Sequence, residues 1–388
     1  MDYFEYRKGE LWCEGVRVAR LAREYGTPLY VYSARTITEH FRRIREAFTR
    51  PAPRPGPASE PFICYSVKAN SNLAVLKLLR QEGAGFDVVS GGELHRVLKI
   101  GADPKRIVFA GVGKTDAEIA AGLDAGILMF NVESEAELDN IDRIARKRKM
   151  TAPVALRLNP DVDPKTHKYI TTGKHENKFG IDLVTAGRIV EGWTCRRNVR
   201  LVGLHVHVGS QLLSVKPYVA AMKKVAGFVR RHEKALGLSP SCGAPGRSTG
   251  RGAGGATGGI AIDWINIGGG FGVFYREREA LPAKEFADAV LPLAAKIAPR
   301  IVLEPGRFIV GNAGILVTKV LYTKDSGDKV FVVCDSGMND LIRPSLYGAF
   351  HRVWPLRFRA ERHLGAAGRT GVPHPDPLPE GEGTAGRT

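Results

Sequence analysis

The stretch Ile63-Cys64-Tyr65-Ser66-Val67-Lys68-Ala69-Asn70 (ICYSVKAN, residues 63–70) begins as an apolar strand and ends on a single lysine. Side chains alternate along a strand, which puts Cys64, Ser66 and Lys68 on one side and Ile63, Tyr65 and Val67 on the other. Lys68 is thus expected where a strand gives way to a loop. A primary amine held there can form a Schiff base with an aldehyde. It can equally be a solvated surface lysine, the commonest fate of that residue.

Working outward from this stretch, a rhythm sets in. Apolar runs recur at 62–67 (FICYSV), 86–89 (FDVV), 107–110 (IVFA), 128–132 (LMFNV), 153–158 (PVALRL), 201–208 (LVGLHVHV), 263–267 (DWINI) and 301–304 (IVLE). Most are separated by helix-like segments such as NLAVLKLLRQEG and ESEAELDNIDRIARKRK. Eight strand–helix units in this order predict an α/β fold, a parallel (β/α)8 barrel of the TIM type, over residues 34–304. A doubly wound open sheet is the alternative. Residues 1–33 read as short strands and a helix that contribute to a second, smaller β-domain. The runs GILVTKVLYTK and KVFVVCDS within 305–356 belong to the same domain, which is expected to be incomplete. Two stretches cannot build a core: the Gly/Ala/Ser/Arg-rich insertion 240–259 and the Pro/Gly-rich tail 357–388.

Composition narrows the function. With 388 residues, 44% hydrophobic and 25% charged, the chain can bury a substantial core. No run of about 18 apolar residues suggests a membrane span, and MDYFEYRKGELW lacks the apolar centre of a signal peptide. The five cysteines, Cys13, Cys64, Cys195, Cys242 and Cys334, have neither metal-ligand spacing nor a paired framework, which suits the cytoplasm. A net charge of +17 invites a nucleic-acid partner. The basic residues are dispersed, however, without aromatic interleaving, so neither nucleic acid nor membrane is expected as a partner.

In a barrel, chemistry gathers at the C-terminal ends of the strands. The residues there are Lys68, Ser90-Gly91-Gly92, Asn131, Arg157, Asn159, His205, His207, Gly268-Gly269-Gly270 and Glu304. The glycine triplet of INIGGGFG offers unobstructed N–H groups that suit a phosphate, with Gly209-Ser210 nearby, although turns also use glycine freely. His205 and His207 can be hydrogen-bonded core residues, a zinc pair lacking its further ligands, or flat rings stacked on a cofactor. Glu304-Pro305-Gly306-Arg307 can hold a pyridine nitrogen protonated, or can be a local Glu–Arg ion pair.

Taken together, YSVKAN (65–70), GFDVVSGGEL (85–94), RLNPDVDPKTHKYITTG (157–173), ENKFGI (176–181), GLHVHVGSQ (203–211), INIGGGFG (265–272), LEPGR (303–307) and DSGMNDLIRPSLYGAFH (335–351) resemble the fold-type III pyridoxal-phosphate-dependent decarboxylases, most closely the diaminopimelate decarboxylases. The resemblance runs through nearly all of residues 1–355. It implies pyridoxal 5'-phosphate as cofactor, with Lys68, His207 and Glu304 as the catalytic residues. Lys68 would be the Schiff-base lysine, His207 the residue stacked on the cofactor ring and Glu304 the partner of the pyridine nitrogen. Ser210 and Gly268, Gly269 and Gly270 would hold the phosphate, and Pro305, Gly306 and Arg307 complete the cofactor-binding EPGR motif. Arg307, Arg343 and Tyr347 would contact substrate. The implied reaction converts meso-diaminopimelate to L-lysine and carbon dioxide, in a homodimer with a shared active site.

The chain departs from the pattern after His351. The family continues with a Cys-Glu-Ser motif and a later tyrosine, whereas this sequence turns into the Arg/Gly/Pro-rich tail. The resemblance makes the cysteine the proton donor. A chain without these residues is expected to bind cofactor and turn over poorly or not at all, as a frameshifted or prematurely ended product would. A decarboxylase of another basic amino acid and a non-catalytic cofactor-binding protein are the alternative readings; Arg343 argues for a carboxylate-bearing substrate.

Overall fold

The computed structural model describes residues 3–49, 60–162, 179–237, 259–273, 275 and 281–357. The insertion at 240–259, apart from Gly259, lies outside them, as does the tail after Arg357. The chain divides into two units.

The larger unit runs from Ile37 to Val273 and from Ala280 to Gly311. Eight strands form it: β1 (Phe62–Ser66), β2 (Gly85–Val88), β3 (Ile107–Phe109), β4 (Met129–Val132), β5 (Ala152–Asn159), β6 (Val199–His205), β7 (Ile260–Asn266) and β8 (Arg300–Leu303). Each pairs in parallel with the next, and β8 pairs with β1, so the sheet closes into a barrel without edges. A two-residue strand, Ile181–Asp182, adds onto the end of β5.

Helices after the first five strands start at side-chain caps that satisfy otherwise unpaired N–H groups. The caps are Asn72, Ser90, Thr115, Ser134 and Asp182, and Thr115 with Glu118 forms a full capping box. These residue types follow a strand end each time, which is why the chain turns there.

The barrel interior is layered by the two-residue strand period. Its lower end is closed by Phe62 and Trp264, packed edge to face at 5.2 Å, with Arg106 over one ring and Arg300 over the other. Above them sit Cys64, Val108, Met129, Ala155, Val202 and Val302, a dry layer. One step of two residues further, the interior turns polar on nearly every strand: Cys64 gives way to Ser66, Gly85 to Asp87, Met129 to Asn131, Ala155 to Arg157, Gly203 to His205, Trp264 to Asn266 and Val302 to Glu304. On β3 alone the step is from Val108 to Ala110.

The smaller unit contains the chain up to Thr36, Tyr275, and the chain from Asn312 onward. Phe4–Arg7, Glu10–Cys13 and Val16–Arg17 make an antiparallel sheet, and Leu29–Tyr32 pairs with Gly314–Val317. Phe4, Leu11, Cys13, Val18, Val31 and Val317 share a core, so both ends of the chain build this unit. Trp354 stacks on Tyr6, and Leu356 accepts a hydrogen bond from Leu11, which carries the chain back along the first sheet. The hairpin Val320–Ser326 and Lys329–Cys334 is exposed on both faces, including Tyr322, Val330 and Phe331.

Behind the upper pole of the barrel lies a buried ion pair. Lys114 Nζ, 1% exposed, donates to Glu137 Oε1 at 2.6 Å and to the carbonyls of Gly111 and Asn131 at 2.7 and 2.8 Å. Removing one member leaves an uncompensated buried charge, so Lys114→Met should cost about 3–5 kcal/mol in urea unfolding. Lys114→Met combined with Glu137→Leu should recover part of that loss, because the stranded carboxylate goes with the lysine. A single variant within about 1 kcal/mol of wild type would contradict the assignment.

Candidate active site

The strand β1 ends at Ser66, and Lys68 sits in a 3-10 turn, Val67–Ala69. The alternation expected to carry Lys68 inward therefore stops two residues short of it, and the turn does the work instead. It brings Nζ to 3.7 Å from Asp87 Oδ2, on the interior face of β2, while leaving the lysine side chain 55% exposed at the barrel mouth. Ser66 is held between neighbours: its hydroxyl donates to Asp87 Oδ2 at 2.6 Å, and its N–H to Pro305 O at 3.0 Å. Gly306 sits in this crowding, where a Cβ would lie a tight 3.1 Å from both the Ala69 and Ser66 Cβ atoms.

Glu304, immediately after β8, occupies the centre of the polar layer. Its Oε1 accepts from Asn131 Nδ2 at 2.8 Å and Asn266 Nδ2 at 2.6 Å, and its Oε2 lies 3.3 Å from His205 Nε2. The local Glu304–Arg307 ion pair is not formed; Arg307 Nη1 instead reaches Gln211 Oε1 at 3.3 Å. Glu304 faces inward because strand alternation points it there, while Arg307 starts the short helix Arg307–Val310.

The two buried carboxylates are driven apart. Burial pushes Asp87 up to about 7, reinforced by the negative charge of Glu304 and only partly offset by Lys68 and Ser66. Burial would raise Glu304 too, but the charge and contact of His205, the Asn266 amide and Lys68 outweigh it and hold the carboxyl well below its usual range. Glu304 is a fixed anion; Asp87 exchanges its proton near neutrality.

The strand expected to run to 208 ends at His205, so His207 stands in the loop beyond it. Its Nδ1 accepts from Gly269 N–H at 3.3 Å. Burial, then the positive charges of Arg157 and Lys68, push His207 well below the usual histidine range, so the ring is neutral. Arg157 itself is held by Glu133, 2.6 Å away, which also accepts from Gly180 N–H.

Gly268, Gly269 and Gly270 are pressed against main chain. A Cβ on Gly269 would lie 2.0 Å from Glu304 O, and one on Gly270 1.9 Å from Gly209 O. Close packing alone thus demands glycine at these positions. Gly268 N–H already donates to Asn266 Oδ1 and Gly269 N–H to His207. An anion at this turn would consequently be met by Gly270 and Ser210 rather than by all three glycines.

Arg343 and Tyr347 belong to the other unit, on the short helix Arg343–Tyr347, where Arg343 Nη2 lies 3.3 Å from the Tyr275 hydroxyl. Sequence reasoning missed Asp87 and Asn266. The signal that finds them is the two-residue step from Gly85 and Trp264, read inward rather than at the loop. Among the described residues, no cluster of three or more His, Cys, Asp or Glu is placed to hold a metal ion.

An amine at the mouth, a central anion, a neutral imidazole and a glycine turn form the donor set that pyridoxal phosphate needs. Buried atoms still lacking hydrogen-bond partners, Asp87 Oδ1 and Asn131 Oδ1, lie in the same layer. The comparisons agree. A family model described as the pyridoxal binding domain of pyridoxal-dependent decarboxylases matches residues 34–242 and 252–311. The diaminopimelate decarboxylase of Aquifex aeolicus is 44% identical over 363 residues, 93% of this chain and 79% of that protein. That of Vibrio cholerae is 43% identical over 92% of this chain and 79% of its own length. The crystal structure of diaminopimelate decarboxylase from Helicobacter pylori with L-lysine superposes with a TM-score of 0.74 at 39% identity, covering 86% of this chain and 76% of the other. That from Methanocaldococcus jannaschii, also with L-lysine, gives 0.79 at 34% identity over 93% and 79%. The chain belongs to the pyridoxal-dependent decarboxylases and, within them, to the diaminopimelate decarboxylase family.

Proposed function

We propose that this chain removes the carboxylate at the D-configured centre of meso-diaminopimelate, giving L-lysine and carbon dioxide with pyridoxal phosphate as cofactor. The observation that carries the reading is the polar layer in which the Lys68 amine faces Asp87 at 3.7 Å while Glu304 is kept anionic at the barrel centre. Pyridoxal phosphate, when bound, supplies an electron sink for the pair left on Cα as carbon dioxide departs.

The chain's own residues prepare that chemistry. Lys68, with its amine at the barrel mouth, would be the residue that holds the cofactor aldehyde. Asp87, titrating near neutrality 3.7 Å from that amine, would take up or return its proton. Glu304 keeps a proton on the pyridine nitrogen, which only a carboxylate that stays ionised can do. His207, uncharged, would be the residue to stack on the ring without opposing its positive charge. Gly270 and Ser210, beside Gly268 and Gly269, would receive the phosphate, with Arg307 reaching Gln211 nearby. Arg343 and Tyr347 read the distal carboxylate of the substrate, for which a guanidinium offers paired donors.

The protein is further proposed to act in the cytoplasm as a homodimer. None of its described helices is long and apolar enough to cross a membrane, and the hairpin Val320–Cys334 exposes apolar side chains on both faces.

Lys68→Ala should abolish the visible absorbance of the bound cofactor and reduce carbon dioxide release from meso-diaminopimelate at least a thousandfold. A wild-type protein that binds the cofactor yet releases no carbon dioxide would overturn the activity while sparing the fold. Asp87 has a separate signature in the cofactor-free protein. Its folded value of about 7 exceeds the roughly 3.9 of an unfolded aspartate, so the folded state binds the extra proton and stability falls as pH rises between them. His207, whose folded value is lowered, works the other way below about 6.5. The informative quantity is therefore the difference between proteins. Asp87→Asn should gain stability over wild type between about pH 5 and 7.5, read as a rising difference in unfolding midpoint. A constant difference across that range would remove Asp87 as a neutral-pH proton site.

A further inference from the structure

His205 has entered so far only through its effect on Glu304, and its surroundings are unusual for a core histidine. It is 1% exposed, and neither ring nitrogen makes a hydrogen bond of normal geometry. A leucine or valine would fill the same space without the cost of burying two unpaired polar atoms. The nearest polar atom in the described contacts is Glu304 Oε2, 3.3 Å from Nε2. The other oxygen of that carboxylate is already taken by Asn131 and Asn266. His205 therefore stands alone on the side of Glu304 that two amides leave open.

We propose that His205 is a positioning residue that acts on the cofactor through Glu304, holding the carboxylate in the rotamer and charge state that a protonated pyridine nitrogen requires. The inference rests on the reading that pyridoxal phosphate occupies the barrel mouth. Other charged groups bear on the same carboxylate: Lys68 favours its ionisation, and Asp87, itself raised by Glu304, opposes it. Asn131 and Asn266 hold only the other oxygen, by hydrogen bonds to Oε1. Without His205, the burial of Glu304 is opposed by the Asn266 amide and by Lys68, whose amine the cofactor would engage, and Oε2 loses its nearest polar neighbour. The carboxyl then drifts toward its neutral form, in which it no longer keeps the ring nitrogen protonated.

The test compares wild type, His205→Leu and His205→Gln loaded with pyridoxal phosphate labelled with nitrogen-15 in the ring. In wild type the ring-nitrogen shift should be that of a pyridinium. In His205→Leu it should move toward unprotonated pyridine, with cofactor affinity weakened about tenfold and kcat lowered more than KM is raised. His205→Gln, whose amide can still donate to Oε2, should restore most of the affinity. A His205→Leu protein that matches wild type in ring-nitrogen shift and affinity overturns the proposal. Should leucine prevent folding, histidine-labelled wild type and Glu304→Gln are compared without cofactor. The His205 ring nitrogens should shift when the carboxylate charge is lost, and identical spectra would sink the pairing. Failure of the wild type itself to take up cofactor would instead sink the functional reading, and the histidine spectra would still decide the His205–Glu304 contact.

Discussion

The upper half of the barrel depends on one constraint, the burial of the Glu304 carboxylate. An ion at the centre of a closed sheet is costly unless every oxygen finds a partner. The partners come from four different strands or strand ends: Asn131 from β4, Asn266 from β7, His205 from β6 and Lys68 from the turn after β1. Each lies one two-residue step above a small or apolar interior residue. The dry layer of Cys64, Val108, Ala155 and Val302 beneath excludes water from below, which strengthens every electrostatic contact above it. Asp87 shows what happens to a carboxylate in the same layer with weaker support. It has one hydroxyl and a half-exposed lysine, and its second oxygen has no partner. The same burial that Glu304 withstands leaves Asp87 near neutrality. Two carboxylates whose environments push them apart mark a fixed anion and a proton-exchanging group.

The barrel was legible because its physics is local and periodic. Each apolar run such as IVFA or PVALRL is long enough for one strand and is bounded by helix caps, Thr115 and Ser134 among them, that announce the next element. Eight repetitions leave little freedom in topology. Lys68, His207 and Glu304 were visible as strand-end residues for the same reason. What the period could not deliver was geometry past the strand ends. Lys68 and His207 both lie one turn beyond the last paired residue, where alternation no longer governs direction. The Glu304–Arg307 pair failed because three residues of spacing suggest contact only on a helix, and Glu304 precedes the helix that Arg307 begins. The glycine triplet illustrates a subtler limit: its composition suits a phosphate, yet the packing of Gly269 and Gly270 against Glu304 and Gly209 requires glycine whether or not an anion is bound.

The two units differ in how they are held. The barrel closes on itself, so its strands leave no edge, and Phe109 of β3 and Phe130 of β4 stack at 6.0 Å between neighbouring strands. The smaller unit is thin. Its core cluster has six buried residues drawn from both ends of the chain, and its longest hairpin has no buried face. A lone two-stranded ribbon is marginal in water, and its open edges invite further strands. The chain spans about 79% of the length of its Aquifex relative. A division of labour follows from these contrasts. The residues proposed to hold the cofactor are in the self-sufficient unit, and Arg343 and Tyr347, proposed to read the substrate, are in the thin one. On the proposed reading, cofactor binding would draw on the barrel's polar layer, and recognition of the distal carboxylate on residues of the smaller unit.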